Sequence, residues 1–116
     1  MTLLLATLAG AVGAVCRYLL SGWVQQQTRS DFPLGTLAVN LVGAFLLGLL
    51  AGTEALQSAA ALAGAGFLGG FTTFSTWMIE TIRLGIPPLR GRAVANLALT
   101  FLAGVALAAV GYSLTN

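Results

Sequence analysis

Between about Ala59 and Ile82 an apolar segment is interrupted by Gly69-Gly70-Phe71-Thr72-Thr73-Phe74-Ser75-Thr76-Trp77, which sets four hydroxyls and three aromatic rings at its middle. The segment is long enough to cross a bilayer, and in hydrocarbon an unpartnered hydroxyl or freed backbone amide costs several kcal/mol. Such a cluster has to face a neighbouring helix, a bound ion or a water-filled path. Gly66, Gly69 and Gly70 weaken helix propensity just ahead of Thr72 and Thr73, whose side chains compete for backbone groups. The pattern predicts a broken helix that lines a pore.

Lipid is the solvent this chain is written for. Of its 116 residues 58% are hydrophobic and 7% charged, against about one quarter charged in ordinary globular domains. Membrane spans need roughly 20 apolar residues each. The apolar runs predict an all-α integral membrane protein, one four-helix domain over 1–116, with spans at about 3–23, 34–50, 59–83 and 93–114. The run at the amino terminus has no Arg or Lys before it, so it is expected to be a mature span rather than a signal peptide.

Several function classes fall away on composition. Five Arg against three acids are too few and too scattered for a nucleic-acid footprint. With no His and only Cys16, neither an intrachain disulfide nor the usual transition-metal sites can form, which leaves a hard cation on oxygen ligands. No carboxylate pair or activated nucleophile is spaced for acid–base or covalent chemistry, so no enzyme is expected.

Along the chain, Tyr18 and Trp23 are placed as interfacial aromatics, and the polar stretch from Gln25 to Asp31 is expected to end span one. Pro33 stands near the first turn of span two, where its missing N–H does no harm. The short connector from Gly52 to Ser58 predicts that spans two and three are antiparallel neighbours. The connector from Gly85 to Arg92 is expected to be stiffened by Pro87 and Pro88. Arg29, Arg83, Arg90 and Arg92 all fall in the connectors after spans one and three, which places those connectors together and, by the positive-inside rule, in the cytoplasm.

The candidate site starts from Phe74, Trp77 and Glu80, spaced three apart near one helical stripe, with Thr73 and Thr76 beside it. Aromatic edges are positive, so rings turned edge-on receive a small anion without a fixed charge that would trap it. Hydroxyls of Thr73, Ser75 and Thr76 and the amide of Asn40 replace lost hydration as donors. Carbonyls freed around Gly69 to Thr72 suit a cation such as Na⁺. The plainer accounts are back-bonded hydroxyls, glycines kept for packing, an interhelical bond from Asn40, a snorkelling Arg17 and a surface ion pair between Glu80 and Arg83. Asn96 and Thr100, one turn apart on span four, are the weakest polar candidates. Four short helices cannot enclose a path alone, so an oligomer is expected.

At these residues the chain resembles the Fluc, or CrcB, family of bacterial fluoride channels. The motifs are Gly10-x-x-Gly13-Ala14-x-x-Arg17-Tyr18, Pro33-x-Gly35-Thr36-x-x-x-Asn40-x-x-Gly43 and Gly66-x-x-Gly69-Gly70-Phe71-Thr72-Thr73-Phe74-Ser75-Thr76. The resemblance implies a dual-topology dimer of oppositely inserted four-helix subunits in the bacterial inner membrane, with two fluoride pores and a central Na⁺ at the crossed breaks. On this chain it implies Na⁺ on the carbonyls of Gly69 and Thr72, ring edges from Phe74 and Trp77, a donor from Asn40, and Thr36, Ser75, Thr76, Glu80, Arg17 and Thr100 along the pathway. The chain departs from the family at Trp77, where Phe is usual, and at Gly104, which has no hydroxyl to extend the polar track of span four. The indole implies either another rotamer or an altered or closed pathway. The Arg bias sets a heterodimer with an oppositely oriented homologue beside the homodimer. Rival classes are a small multidrug-resistance-type proton-coupled exporter, which needs a carboxylate deep in span one, and a non-conducting subunit of a heterodimeric channel.

Overall fold

A computed structural model describes residues 1–54, 57–86 and 90–116, which form five helices and, among those residues, no strand. They are α1 (Thr2–Thr28), α2 (Leu34–Ala51), α3 (Ala59–Phe71), α4 (Ser75–Leu84) and α5 (Arg90–Thr115). Helices α1, α2 and α5 are each long and apolar enough to cross a membrane. Helices α3 and α4 have 13 and 10 residues. At 1.5 Å per residue each falls well short of a hydrocarbon core about 30 Å thick, so the two are halves of one interrupted crossing. The molecule measures 48 × 28 × 22 Å, its long axis matching a bilayer with its headgroups.

Backbone proximity organises the packing. Helix α1 packs most extensively on α3, and α2 on α5. A Cβ added at Gly13 would run into the Phe67 carbonyl, and one at Gly70 into the Gly10 carbonyl, so these two helices touch main chain to main chain. Gly48 and Gly111 do the same between α2 and α5, against the carbonyls of Ala108 and Phe45. Because lipid is as apolar as leucine, close van der Waals approach takes over from hydrophobic burial as the force between such helices. Spans two and three are in contact, as the short connector implies, but the more extensive pairings are α1 with α3 and α2 with α5, where the small-residue faces lie. Leu3, Leu8, Val12, Leu19, Phe101 and Leu102 are accordingly exposed.

Helix α1 runs past Trp23 and ends inside the polar stretch, at Thr28, with Arg29 in the left-handed region, φ 48°. Hydropathy marks where a helix leaves hydrocarbon, whereas glutamines remain adequate helix formers in water. Gln25 uses this extra turn to fasten the connector. Its Nε2 donates to the carbonyls of Ser30 at 2.7 Å and Phe32 at 3.1 Å, and its Oε1 accepts the Gly35 amide at 3.0 Å, one of the orphan donors opening α2. Arg92 meets Asp31 at 3.4 Å, which brings the start of α5 beside the α1–α2 connector. Ser58 caps α3 by accepting the Ala61 amide at 3.1 Å. The stiffening expected of Pro87 and Pro88, and part of the Gly52–Ser58 connector, lie outside the described residues.

Candidate functional site

The break spans Thr72 to Phe74, with Thr72 extended at φ −83°, ψ 161°. Two side chains hold it open. Asn40 accepts the Thr73 amide on Oδ1 at 2.8 Å and donates Nδ2–H to the Thr73 carbonyl at 3.0 Å, a two-point clamp on the backbone of one residue. The Thr73 hydroxyl accepts the Thr76 amide at 3.3 Å and donates to the Thr76 hydroxyl at 3.1 Å, which serves the first turn of α4. In an unbroken helix the amides of residues 73 and 76 would bond the carbonyls of Gly69 and Thr72. Those are the two carbonyls the clamp releases. Gly69 faces open space, and the Thr72 carbonyl accepts from Arg17 Nη1 at 3.3 Å.

Arg17 is thus turned inward to the break, not snorkelled to an interface, since a bare carbonyl at mid-span is a stronger attraction than the climb to water. Asn40 is likewise first a backbone clamp. It carries one further N–H beyond the bond to Thr73.

Beside the break lies a cleft of about 330 Å³ whose lining includes Asn40, Thr72, Thr73, Phe74, Trp77 and Thr100. Phe74 is 70% exposed and meets Trp77 edge to face, with centroids 5.6 Å apart and planes at 80°. Trp77 donates its indole N–H to the carbonyl of Asn96 in α5 at 3.2 Å. The Thr100 hydroxyl is buried with no hydrogen-bond partner among the described residues.

A second, more polar volume of about 400 Å³ opens toward the arginine-rich connectors and includes Asp31, Thr36, Thr76, Glu80 and Arg83 in its walls. Thr36 donates to Glu80 Oε1 at 2.9 Å, while Glu80 Oε2 is buried without a partner among the described residues. Two expectations are corrected here. Glu80 is joined to Thr36 across the helix interface, and no ion pair joins it to Arg83. Nor does Glu80 share the stripe of Phe74 and Trp77. Steps of three residues advance 300°, so each drifts 60° from the last, and six residues carry Glu80 about 120° round the helix into the other volume.

The nine expected pathway residues therefore divide. Asn40, Phe74, Trp77 and Thr100 line the cleft; Thr36, Thr76 and Glu80 line the polar vestibule; Arg17 binds the break; Ser75 is exposed and lines neither. Three contributors were not singled out by sequence. Gln25 was read only as part of the polar stretch that ends span one, and nothing in the sequence set Thr81 apart. Asn96 was weighed and set low, yet it is 1% exposed and donates to the Thr81 hydroxyl at 2.8 Å, which in turn donates to the Trp77 carbonyl at 2.7 Å. An amide one turn before Thr100 on an otherwise apolar helix was the available signal.

Apolar helices, an interrupted crossing with a clamped break, and two open volumes, one lined by the break and the other by the helix after it, define a multi-pass membrane protein. Residues 4–112 match the family model described as CrcB-like protein, Camphor Resistance (CrcB). The chain belongs to the CrcB family. It is 48% identical to a fluoride-specific ion channel FluC 2 of Mycolicibacterium paratuberculosis, over 94% of this chain and 89% of that protein. A fluoride-specific ion channel FluC 1 of Geobacillus kaustophilus is 47% identical over 94% of this chain and 93% of its own length. A FluC 2 of Bacillus cereus, also named fluoride-specific, is 36% identical over 98% and 97%.

Proposed function

We propose that this chain is a subunit of a fluoride-selective channel that lets fluoride leave the cytoplasm passively across the bacterial inner membrane. The carrying observation is the cleft at the break, where Phe74 and Trp77 stand edge to face beside neutral hydrogen-bond donors, in a lining without a charged side chain. Fluoride gives up its hydration only to strong donors, and ring edges lower its energy without trapping it. The names of the relatives agree with this reading. Helix α1 carries no carboxylate, which removes the proton site a multidrug-type exporter would need.

The subunit is completed by a second copy. Gly69, Phe74, Ser75 and Thr76 are exposed on one chain, and the cleft is open along one side. An antiparallel homodimer closes it most simply; pairing with an oppositely oriented homologue is the alternative that the one-sided Arg distribution favours. Na⁺ fits at the break by donor chemistry: the clamp strips Gly69 and Thr72 carbonyls of their helical amides, and hard cations take such oxygens. Gly69 and Thr72 would hold the ion and Arg17 shares the Thr72 carbonyl with it. Bound there, Na⁺ supplies fixed positive charge between the subunits.

Purified chain reconstituted in liposomes should release fluoride and not chloride, read with ion-selective electrodes. Fluoride release no faster than from protein-free vesicles overturns the reading in favour of a non-conducting subunit. Proton-driven uptake of a cationic dye would favour the exporter. Cross-linking between cysteines placed at opposite helix ends separates an antiparallel dimer from a parallel one.

A further inference from the structure

We infer that the indole of Trp77 keeps the Thr100 hydroxyl available to the conducted anion by occupying the carbonyl on which that hydroxyl would otherwise close; this rests on the proposed fluoride channel. The chain contains its own controls. Helical threonines habitually donate to the carbonyl four residues back. Thr7, Thr28, Thr72 and Thr81 all do so here, at 2.7, 3.0, 3.0 and 2.7 Å. Thr100, in the middle of α5, does not, and its hydroxyl finds no other partner among the described residues.

The reason is visible at the acceptor. The carbonyl four residues before Thr100 is that of Asn96, and it accepts the Trp77 indole N–H at 3.2 Å. Helix geometry directs the Thr100 amide to the same oxygen. A carbonyl has two lone pairs, so both are then engaged and the acceptor four residues back, the one the other threonines use, is taken. The arrangement is held from a second side. Asn96, almost wholly buried, donates to the Thr81 hydroxyl, and Thr81 donates to the Trp77 carbonyl. Trp77 is fastened to α5 directly at its ring and, through the Thr81 hydroxyl, at its backbone carbonyl.

Thr100 is 8% exposed and lines the cleft together with Asn40, Phe74 and Trp77. A donor without an acceptor in a low-dielectric wall is an uncompensated cost in the empty protein, and an arriving small anion removes it. The indole at position 77 is thus a positioning residue acting through Thr100, in addition to the ring edge it shares with Phe74. A phenylalanine there has no N–H. It would hand the Asn96 carbonyl back to Thr100 and silence the hydroxyl.

A double-mutant cycle on the full chain in liposomes tests this, with dimer elution checked for every variant. Thr100→Val should slow fluoride efflux about tenfold in the native background and by less than about twofold in Trp77→Phe, a strong departure from additivity. Thr100→Ser, which keeps the donor, should restore most of the native rate. In a Trp23→Phe background the single remaining indole N–H should be downfield and slow to exchange by NMR, and should lose that protection in no Thr100 variant. Equal losses in both backgrounds, or a rapidly exchanging indole N–H, overturn the inference while leaving the channel reading intact. No efflux from the native protein overturns the channel reading and this inference with it.

Discussion

The vestibule and the cleft are lined by different residues and have opposite character. The vestibule gathers Asp31, Glu80 and Arg83 with the hydroxyls of Thr36 and Thr76, groups that coexist with water. The cleft holds no ionised side chain: its lining is rings, aliphatic carbons, and a few neutral donors from Asn40, Thr73 and Thr100. Charge in the first volume organises an approach. A full charge in the second would bind too tightly or repel outright, because a low dielectric magnifies both. On the proposed channel reading, the difference assigns selectivity to neutral dipoles and ring edges and leaves the ionised side chains outside the cleft lining.

The largest effect expected from that contrast is in the cleft. Phe74→Ile keeps apolar bulk and removes the ring edge, and should slow fluoride efflux by at least about 100-fold, roughly 2.7 kcal/mol of barrier, with the dimer still eluting as one species. Undiminished efflux would end the ring-edge account. Asn40→Asp places an ionised oxygen where Nδ2–H now meets the Thr73 carbonyl. It should cut efflux by about 30-fold and also lower the unfolding midpoint, since the clamp on the break is lost together with the neutral lining. A normal rate at neutral pH would show that the cleft tolerates a fixed like charge.

Changes in the vestibule should be milder. Glu80→Gln retains an acceptor for Thr36 and removes one charge; a change in fluoride efflux of about threefold or less, larger at low ionic strength, is expected from a group that acts through the field. A loss comparable with that of Phe74→Ile would dissolve the distinction between the two volumes. Thr36→Val deletes the hydroxyl on Glu80 Oε1 and should change efflux least, by about twofold, with stability reduced by about 1 kcal/mol as read by thermal unfolding.

The break was legible before any coordinates because three glycines followed by adjacent threonines weaken a helix in a way local to the chain. Its location, between Phe71 and Ser75, follows from that composition. For Asn40 the sequence offered an interhelical bond without its partner, and for Arg17 it offered no bond to the break. Both carry groups suited to a pore, and only the approach of α1 and α2 to the break shows them bonded to its backbone instead. The shared stripe of Phe74, Trp77 and Glu80 failed for a geometric reason: a period of three is not 3.6, and the error accumulates over two turns. Asn96 was underrated because a buried amide on a bland helix says nothing about which hydroxyl it will meet.

What this sequence determined alone was the medium, the crossings and the place of the interruption, since hydropathy, length and glycine content act through the chain's own neighbours and the surrounding lipid. Tertiary structure decided which helices pair and which polar atoms are left over. Those depend on main chains approaching across Gly13, Gly70, Gly48 and Gly111, and on a competition such as that between Trp77 and Thr100 for one carbonyl. A hydrogen-bond donor has no assigned acceptor until the helices have met, because the acceptor lies far away in the chain.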